Sequence, residues 1–172
     1  LAQISVKNHL HATKNEYAQL QRKITLEQVL NARKEAKKPL GLYDYAPVSD
    51  GASTLILTSE EVAKKFTDKP VYILGSSSAT DYLTFPARKD MTHFLVSEMA
   101  MKNALKMAGI HLWDIQIVEL YDQSTVMEMI SLEDLGFCER GKAWKNIYEN
   151  CQDYKGYYEI NDKKIFVNMN GG

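Results

Sequence analysis

The chain has 172 residues, 45% of them hydrophobic, with 21 basic against 22 acidic side chains and a formal charge of −1. That length fits one domain of ordinary size with a real core, and the balanced charge excludes a global field that would draw nucleic acid or an anionic membrane. No run of eighteen apolar residues is present, so no transmembrane span is predicted, and no signal peptide is read. Two cysteines, Cys138 and Cys151, suit a reducing cytoplasm better than a disulfide framework. The chain opens on Leu1 in mid-pattern and stops at Gly171-Gly172 directly after a strand-like run, so it is expected to be a fragment of a longer protein.

In chain order, Leu1 to about Lys38 reads as helical. Ile4 and Leu10, then Leu26, Val29 and Leu30, recur at helical intervals, and Thr25 is placed to cap a second helix. The basic run from Arg33 to Lys38 suits the end of that helix, and Pro39 and Gly41 close it. A loop over Tyr43–Ser49 and a turn at Asp50-Gly51 lead to an expected strand, Ser53–Thr58. A short helix from a Ser59-Glu60-Glu61 start to Phe66 follows, then a second strand, Val71–Leu74, running into Gly75-Ser-Ser-Ser78. Thr80–Asp90 has turn chemistry around Pro86. Met91–Ala108 is the clearest helix, with Phe94, Met101, Ala104, Leu105 and Ala108 on one face and Gly109 as its stop. A third strand, Ile115–Leu120, precedes a helix carrying Val126, Met127, Ile130 and Leu135, which stops at Gly136. Gly141–Lys164, polar and tyrosine-rich, reads as an excursion, and Ile165–Met169 as a last strand. Strands separated by helices predict an α/β layer fold with parallel pairing.

Among groups able to carry chemistry, Tyr121-Asp122 stands out. It lies where a strand's carboxyl end opens onto a helix start, the usual place for ligands in open α/β sheets, although a carboxylate there can equally be an N-cap. Asp122 and Tyr121 are therefore the candidate catalytic pair, the phenol able to donate to a carbonyl oxygen. His9 and His11, two apart, would point about 200° apart on a helix and suit no single metal ion. Gly75–Ser78 lacks the Lys-Ser/Thr of a P-loop and the spaced glycines of a dinucleotide turn. Neither cysteine has a neighbouring base to activate it, so both read as packing residues.

In order, Val6-Lys-Asn-His-Leu-His-Ala12, Pro47-Val-Ser-Asp-Gly-Ala-Ser53, Leu55–Glu60, Ala104–Gly109, Asp114–Glu119, Glu133–Phe137 and Val167–Gly172 resemble the thiolases, specifically the sterol-carrier-protein or nonspecific-lipid-transfer type. The resemblance implies a partial thiolase-like α-β-α layered fold: residues 1–40 as a helical remnant of the loop domain, and 41–172 as a truncated C-terminal α/β domain. Within it, Ser53–Thr58 resembles the last strand of the first half. It implies Claisen condensation or thiolytic cleavage of 3-ketoacyl-coenzyme A, with a coenzyme A thioester as substrate and no further cofactor or metal. It implies coenzyme A contacts for Asn8, His9 and Ser49, and a homo-oligomer or multi-enzyme complex as the setting. Cys138 and Cys151 match neither catalytic cysteine of the family, so the fragment itself is expected to be inactive. An acyl-coenzyme A or lipid-binding scaffold subunit is the alternative. One departure matters. The position that is asparagine in Asn-Glu-Ala-Phe, or histidine in His-Asp-Cys-Phe, is Tyr121 here. A phenol can still donate, with different bulk and reach, and losing a good oxyanion donor costs about 2.7–4 kcal/mol.

Overall fold

Chain segments carrying inward apolar residues at helical or alternating spacing converge on one core in the computed structural model, which describes residues 1–88, 90–152 and 154–172, leaving out the Phe85 side chain. Lys89 and Asp153, inside the expected turn and excursion segments, lie outside the described residues. Helix α1 spans Ala2–Ala12 and α2 spans Leu26–Ala36. The Thr25 hydroxyl accepts from the Gln28 N–H (3.2 Å), the cap expected of Thr25, and the Gln28 side chain accepts in return from the Thr25 N–H (2.8 Å). Helix α3 (Glu60–Ala63) is short, and α4 runs Leu95–Ala108, ending on Gly109 at φ +68°. Strand β1 (Ile117–Val118) leads to α5 (Thr125–Asp134), followed by α6 (Ala143–Cys151) and strands β2 (Tyr158–Ile160) and β3 (Lys163–Val167).

The sheet order is β1-β3-β2. β1 pairs parallel with β3, Val118 opposite Val167, whereas β2 pairs antiparallel, Tyr158 opposite Ile165. Alternation along β2 and β3 buries Tyr158, Ile160, Ile165 and Val167 on one face. These pack with Ile4 of α1, Leu132 of α5, and Ala143 and Ile147 of α6. A second, small cluster joins Ala2, Ile24 and Val29 beneath α2.

The α/β class holds, with four corrections to the local reading. Residues 141–164 are no excursion: α6, β2 and the start of β3 come from them and supply Ala143, Ile147, Tyr158 and Ile160 to the core. In β2 Glu159 faces out between buried Tyr158 and Ile160, and Asn161 and Asp162, at φ +50° and +59°, make the tight two-residue turn that right-twisted hairpins favour. The pairing is accordingly mixed rather than parallel throughout. Ser53–Thr58 and Val71–Leu74 join no ladder among the described residues, and Leu55 to Leu57 are 69–86% exposed. Consecutive apolar residues need cover on both faces and paired backbone groups to settle as a central strand, and here they meet neither. Finally, Ile115–Leu120 contracts to Ile117–Val118, although the Phe166 and Asn168 N–H groups still donate to the Gln116 and Val118 carbonyls at 2.8 and 2.9 Å. No helix among the described residues is long and apolar enough to cross a membrane.

Candidate functional site

A cleft of about 320 Å³ opens between α1, the 43–49 loop and the end of β1. Asn8 and His9 of α1, Ser49 of the loop, and Asp122 all line it. Tyr121 is not among its lining residues; it is 67% exposed and its hydroxyl donates to Gln123 Oε1 at 2.9 Å. Ser49 Oγ donates to Gln19 Oε1 at 2.5 Å across the cleft mouth.

Asp122 is not the cap of α5, a place taken by Ser124. Its Oδ2 instead accepts from Asn8 Nδ2 at 2.7 Å and from Asn168 Nδ2 at 3.0 Å. Burial, with the Glu128 carboxylate adding to it, pushes the Asp122 carboxyl up to about 6, against the pull of Lys7 and the Asn168 bond. A carboxyl titrating there can both give and accept a proton near neutrality. In the same cleft, Asn8 Oδ1 and His9 Nδ1 are buried without a hydrogen-bond partner among the described residues. Such groups are expensive to leave unmade, so a ligand supplying complementary polar groups gains by filling them. His9 sets its ring edge against Tyr43 (centroids 5.8 Å apart), and burial lowers its pKa, favouring the neutral imidazole.

The loop wall is tied down by Asp44, a buried carboxylate at the end of a 3-10 turn over Leu42–Asp44. It accepts from Arg33 Nε (2.7 Å) and Nη2, the Gly41 N–H (2.8 Å) and Thr125 Oγ1 (3.0 Å). Burial pushes this carboxyl up, but Arg33, Gly41 and Thr125 together hold it below the usual carboxylate value. A bridge between Tyr45 and Ser124 completes the contact between loop and α5. Gly171 and Gly172 close the other side. A Cβ on Gly171 would stand 2.7 Å from the Ala12 backbone, and one on Gly172 would stand 2.2 Å from Asp122 Oδ2. At Gly171 only glycine lets the two backbones approach this closely, and both glycines have positive φ.

Beneath Asp122 lies a polar layer that sequence reasoning missed. Lys7 Nζ reaches Glu128 Oε2 at 3.1 Å and the Val167 carbonyl at 3.1 Å, while Tyr158 donates to Glu128 Oε1 at 3.2 Å. Asn168 Nδ2 also donates to Glu128 Oε2 at 3.0 Å. The available signal was spacing: Ile4, Lys7 and His11 share one face of α1, and Thr125, Glu128 and Leu132 one face of α5, so both charges sit in inward stripes. The cysteines behave as packing groups. Burial raises the Cys138 thiol and pushes Cys151 up to about 11.

Residues 77–172 match the protein family described as thiolase C-terminal domain-like. The chain is 39% identical over 165 residues to an acetyl-CoA acetyltransferase of Methanocaldococcus jannaschii, covering 94% of this chain and 42% of that protein. It is 38% identical to sterol carrier protein 2 of Gallus gallus, covering 93% of this chain and 30% of that protein. Its fold superposes on a solved structure named Ltp2-ChsH2(DUF35) aldolase with a TM-score of 0.84 and 29% identity, covering 99% of this chain and 44% of that one. The chain thus spans less than half the length of these relatives, in agreement with the resemblance read from its motifs. Sequence and fold agree that this chain belongs to the thiolase family, through its C-terminal domain-like region.

Proposed function

We propose that the protein carrying this chain is a thiolase-like acyltransferase, condensing acyl-coenzyme A thioesters or cleaving 3-ketoacyl-coenzyme A by thiolysis, and that the cleft beside Asp122 is its acyl-coenzyme A site. The observation that carries this reading is the Asp122 carboxyl, held in the cleft wall between β1 and α5 by Asn8 and Asn168 and pushed up to about 6 by burial. Protonated, it donates to a thioester or ketone oxygen; ionised, it takes a proton from the carbon or thiol partner. Asn8 and His9 meet the polar groups of the coenzyme A arm, and Ser49 stands at the mouth. Tyr121 precedes Asp122 outside the cleft lining, and its phenol serves as a donor to the thioester only after leaving Gln123. The nucleophile comes from elsewhere in the protein, because neither cysteine here is a thiolate near neutrality. The 172 residues alone are therefore inactive. The division at residues 40/41 into a loop-domain part and an α/β part, a cytoplasmic setting and an oligomeric or multi-enzyme assembly belong to the same proposal.

The test is acetoacetyl-coenzyme A thiolysis by the full-length protein. Asp122→Asn should lower kcat by about 10²–10⁴, the usual contribution of a positioned acid or base. An unchanged kcat in a folded variant removes the reading. A second reading, a thioester-binding subunit without turnover, is favoured by Tyr121 lying outside the cleft wall and by the two-component name of the similar aldolase structure. It predicts saturable acetoacetyl-coenzyme A binding with no thiolysis by the wild type.

A further inference from the structure

Two carboxylates share a single amide. Asn168 Nδ2 donates to Asp122 Oδ2 and to Glu128 Oε2, both at 3.0 Å, using one hydrogen for each. The amide cannot turn over, because Asn168 Oδ1 accepts the Leu120 N–H at 2.7 Å. Asn168 itself is buried and sits at φ +50°, a left-handed conformation uncommon for a residue other than glycine. Its own carbonyl accepts from His11 Nδ1 at 2.9 Å, fixing the backbone as well.

Glu128 is fully buried and faces Lys7, whose side chain is 1% exposed. A buried ion pair is poor value as a stabilising device, since desolvation offsets most of the attraction and apolar replacements often fold as well. Buried charge, a left-handed asparagine and an amide locked in one orientation all meet at one cleft carboxyl, the kind of concentration that marks functional sites. We propose that Glu128 is a positioning residue: through the Asn168 amide it aims the Asp122 carboxyl into the cleft and sets how readily that carboxyl releases its proton. Lys7 holds Glu128 in place and tempers its field. This deepens, and rests on, the reading of Asp122 as the proton-handling group.

The other titratable groups around this layer are His11 of α1, Tyr158 of β2, Cys151 of α6, Tyr154 beyond it and the Leu1 amino group. Burial keeps His11 and Leu1 below, and Tyr158, Tyr154 and Cys151 above, their ordinary values. Asp122 is thus faced at close range by Glu128 as the like charge and Lys7 as the opposing one.

The test is a 13C carboxyl titration of protein labelled at aspartate, with the Asp122 signal assigned by its loss in Asp122→Asn. Glu128→Gln removes the charge while its amide oxygen still accepts from Asn168, its NH2 then facing the Tyr158 hydroxyl, which can accept. The Asp122 midpoint should fall by about one unit, and the acidic limb of the thiolysis pH profile should move with it. Where Glu128→Gln fails to fold because Lys7 is left unpaired, the Lys7→Met/Glu128→Gln double variant removes both charges, and the midpoint should still fall because Glu128 outweighs Lys7 at this carboxyl. A midpoint that moves while the rate profile stays fixed upholds the coupling and removes Asp122 from the reaction. A midpoint unchanged in whichever variant folds overturns the inference.

Discussion

Truncating Asp44 to alanine tests whether the cleft wall is held as described. The Asp44 side chain is inaccessible to water and Arg33 is 18% exposed, so the pair is nearly desolvated. The truncation leaves the Gly41 N–H and the Thr125 hydroxyl without their acceptor, at about 1–3 kcal/mol each where water cannot replace it. Breaking a buried ion pair costs about 3–5 kcal/mol, and the partial hydration of Arg33 favours the lower part of that range. These contributions overlap, so Asp44→Ala should lose about 4 kcal/mol, a large share of a typical domain stability of about 5–15 kcal/mol. Urea unfolding followed by circular dichroism at pH 7 reads this directly. The pH dependence gives a second check. Asp44 titrates below its unfolded value, so its contribution is present above that value and is lost as pH falls through the folded one. The difference between wild type and variant should therefore shrink in acid. A loss under about 1 kcal/mol, or a difference as large at pH 3 as at pH 7, would refute the reasoning.

Asp122 gives the opposite sign. Its folded pKa is raised to about 6, so its stabilising contribution is full below the unfolded value and is lost as pH rises through the folded one. Asp122→Asn should thus be more stable than wild type by about 1–2 kcal/mol at pH 7, after allowing for screening by cleft water, and equal to it near pH 4; urea midpoints at both pH values check this. Gly171→Ala should destabilise by about 1–3 kcal/mol, because its methyl overlaps the α1 backbone at a positive φ; thermal melts read the loss. Both cysteines should resist iodoacetamide at pH 8 in the folded state and react once urea exposes them, as mass spectrometry will show.

Local chemistry in the sequence reached as far as single elements. Thr25 announces α2, and Gly109 announces the end of α4, because caps are decided within one turn of chain. The passage from strand to helix before α5 was legible too, though the strand ends at Val118 rather than Leu120, and it put Asp122 in view. What local reading could not supply was partnership. Leu55–Leu57 carry the composition of a buried strand and pair with no strand among the described residues, while Tyr158–Ile160, inside a polar segment, become core through a hairpin. Asp122 owes its environment to Asn8, Asn168 and Glu128, 114, 46 and 6 positions away, and the first two are joined to it only by packing. Tyr121 shows the limit in the other direction: adjacent to Asp122 in sequence, it falls outside the cleft lining.

The most direct measurement is the 13C carboxyl titration of Asp122 in the wild-type protein, with and without acetoacetyl-coenzyme A. The account predicts a midpoint near 6 in the free protein and a clear displacement when the thioester fills the cleft. A midpoint near the ordinary value of about 4, indifferent to saturating thioester, would contradict it.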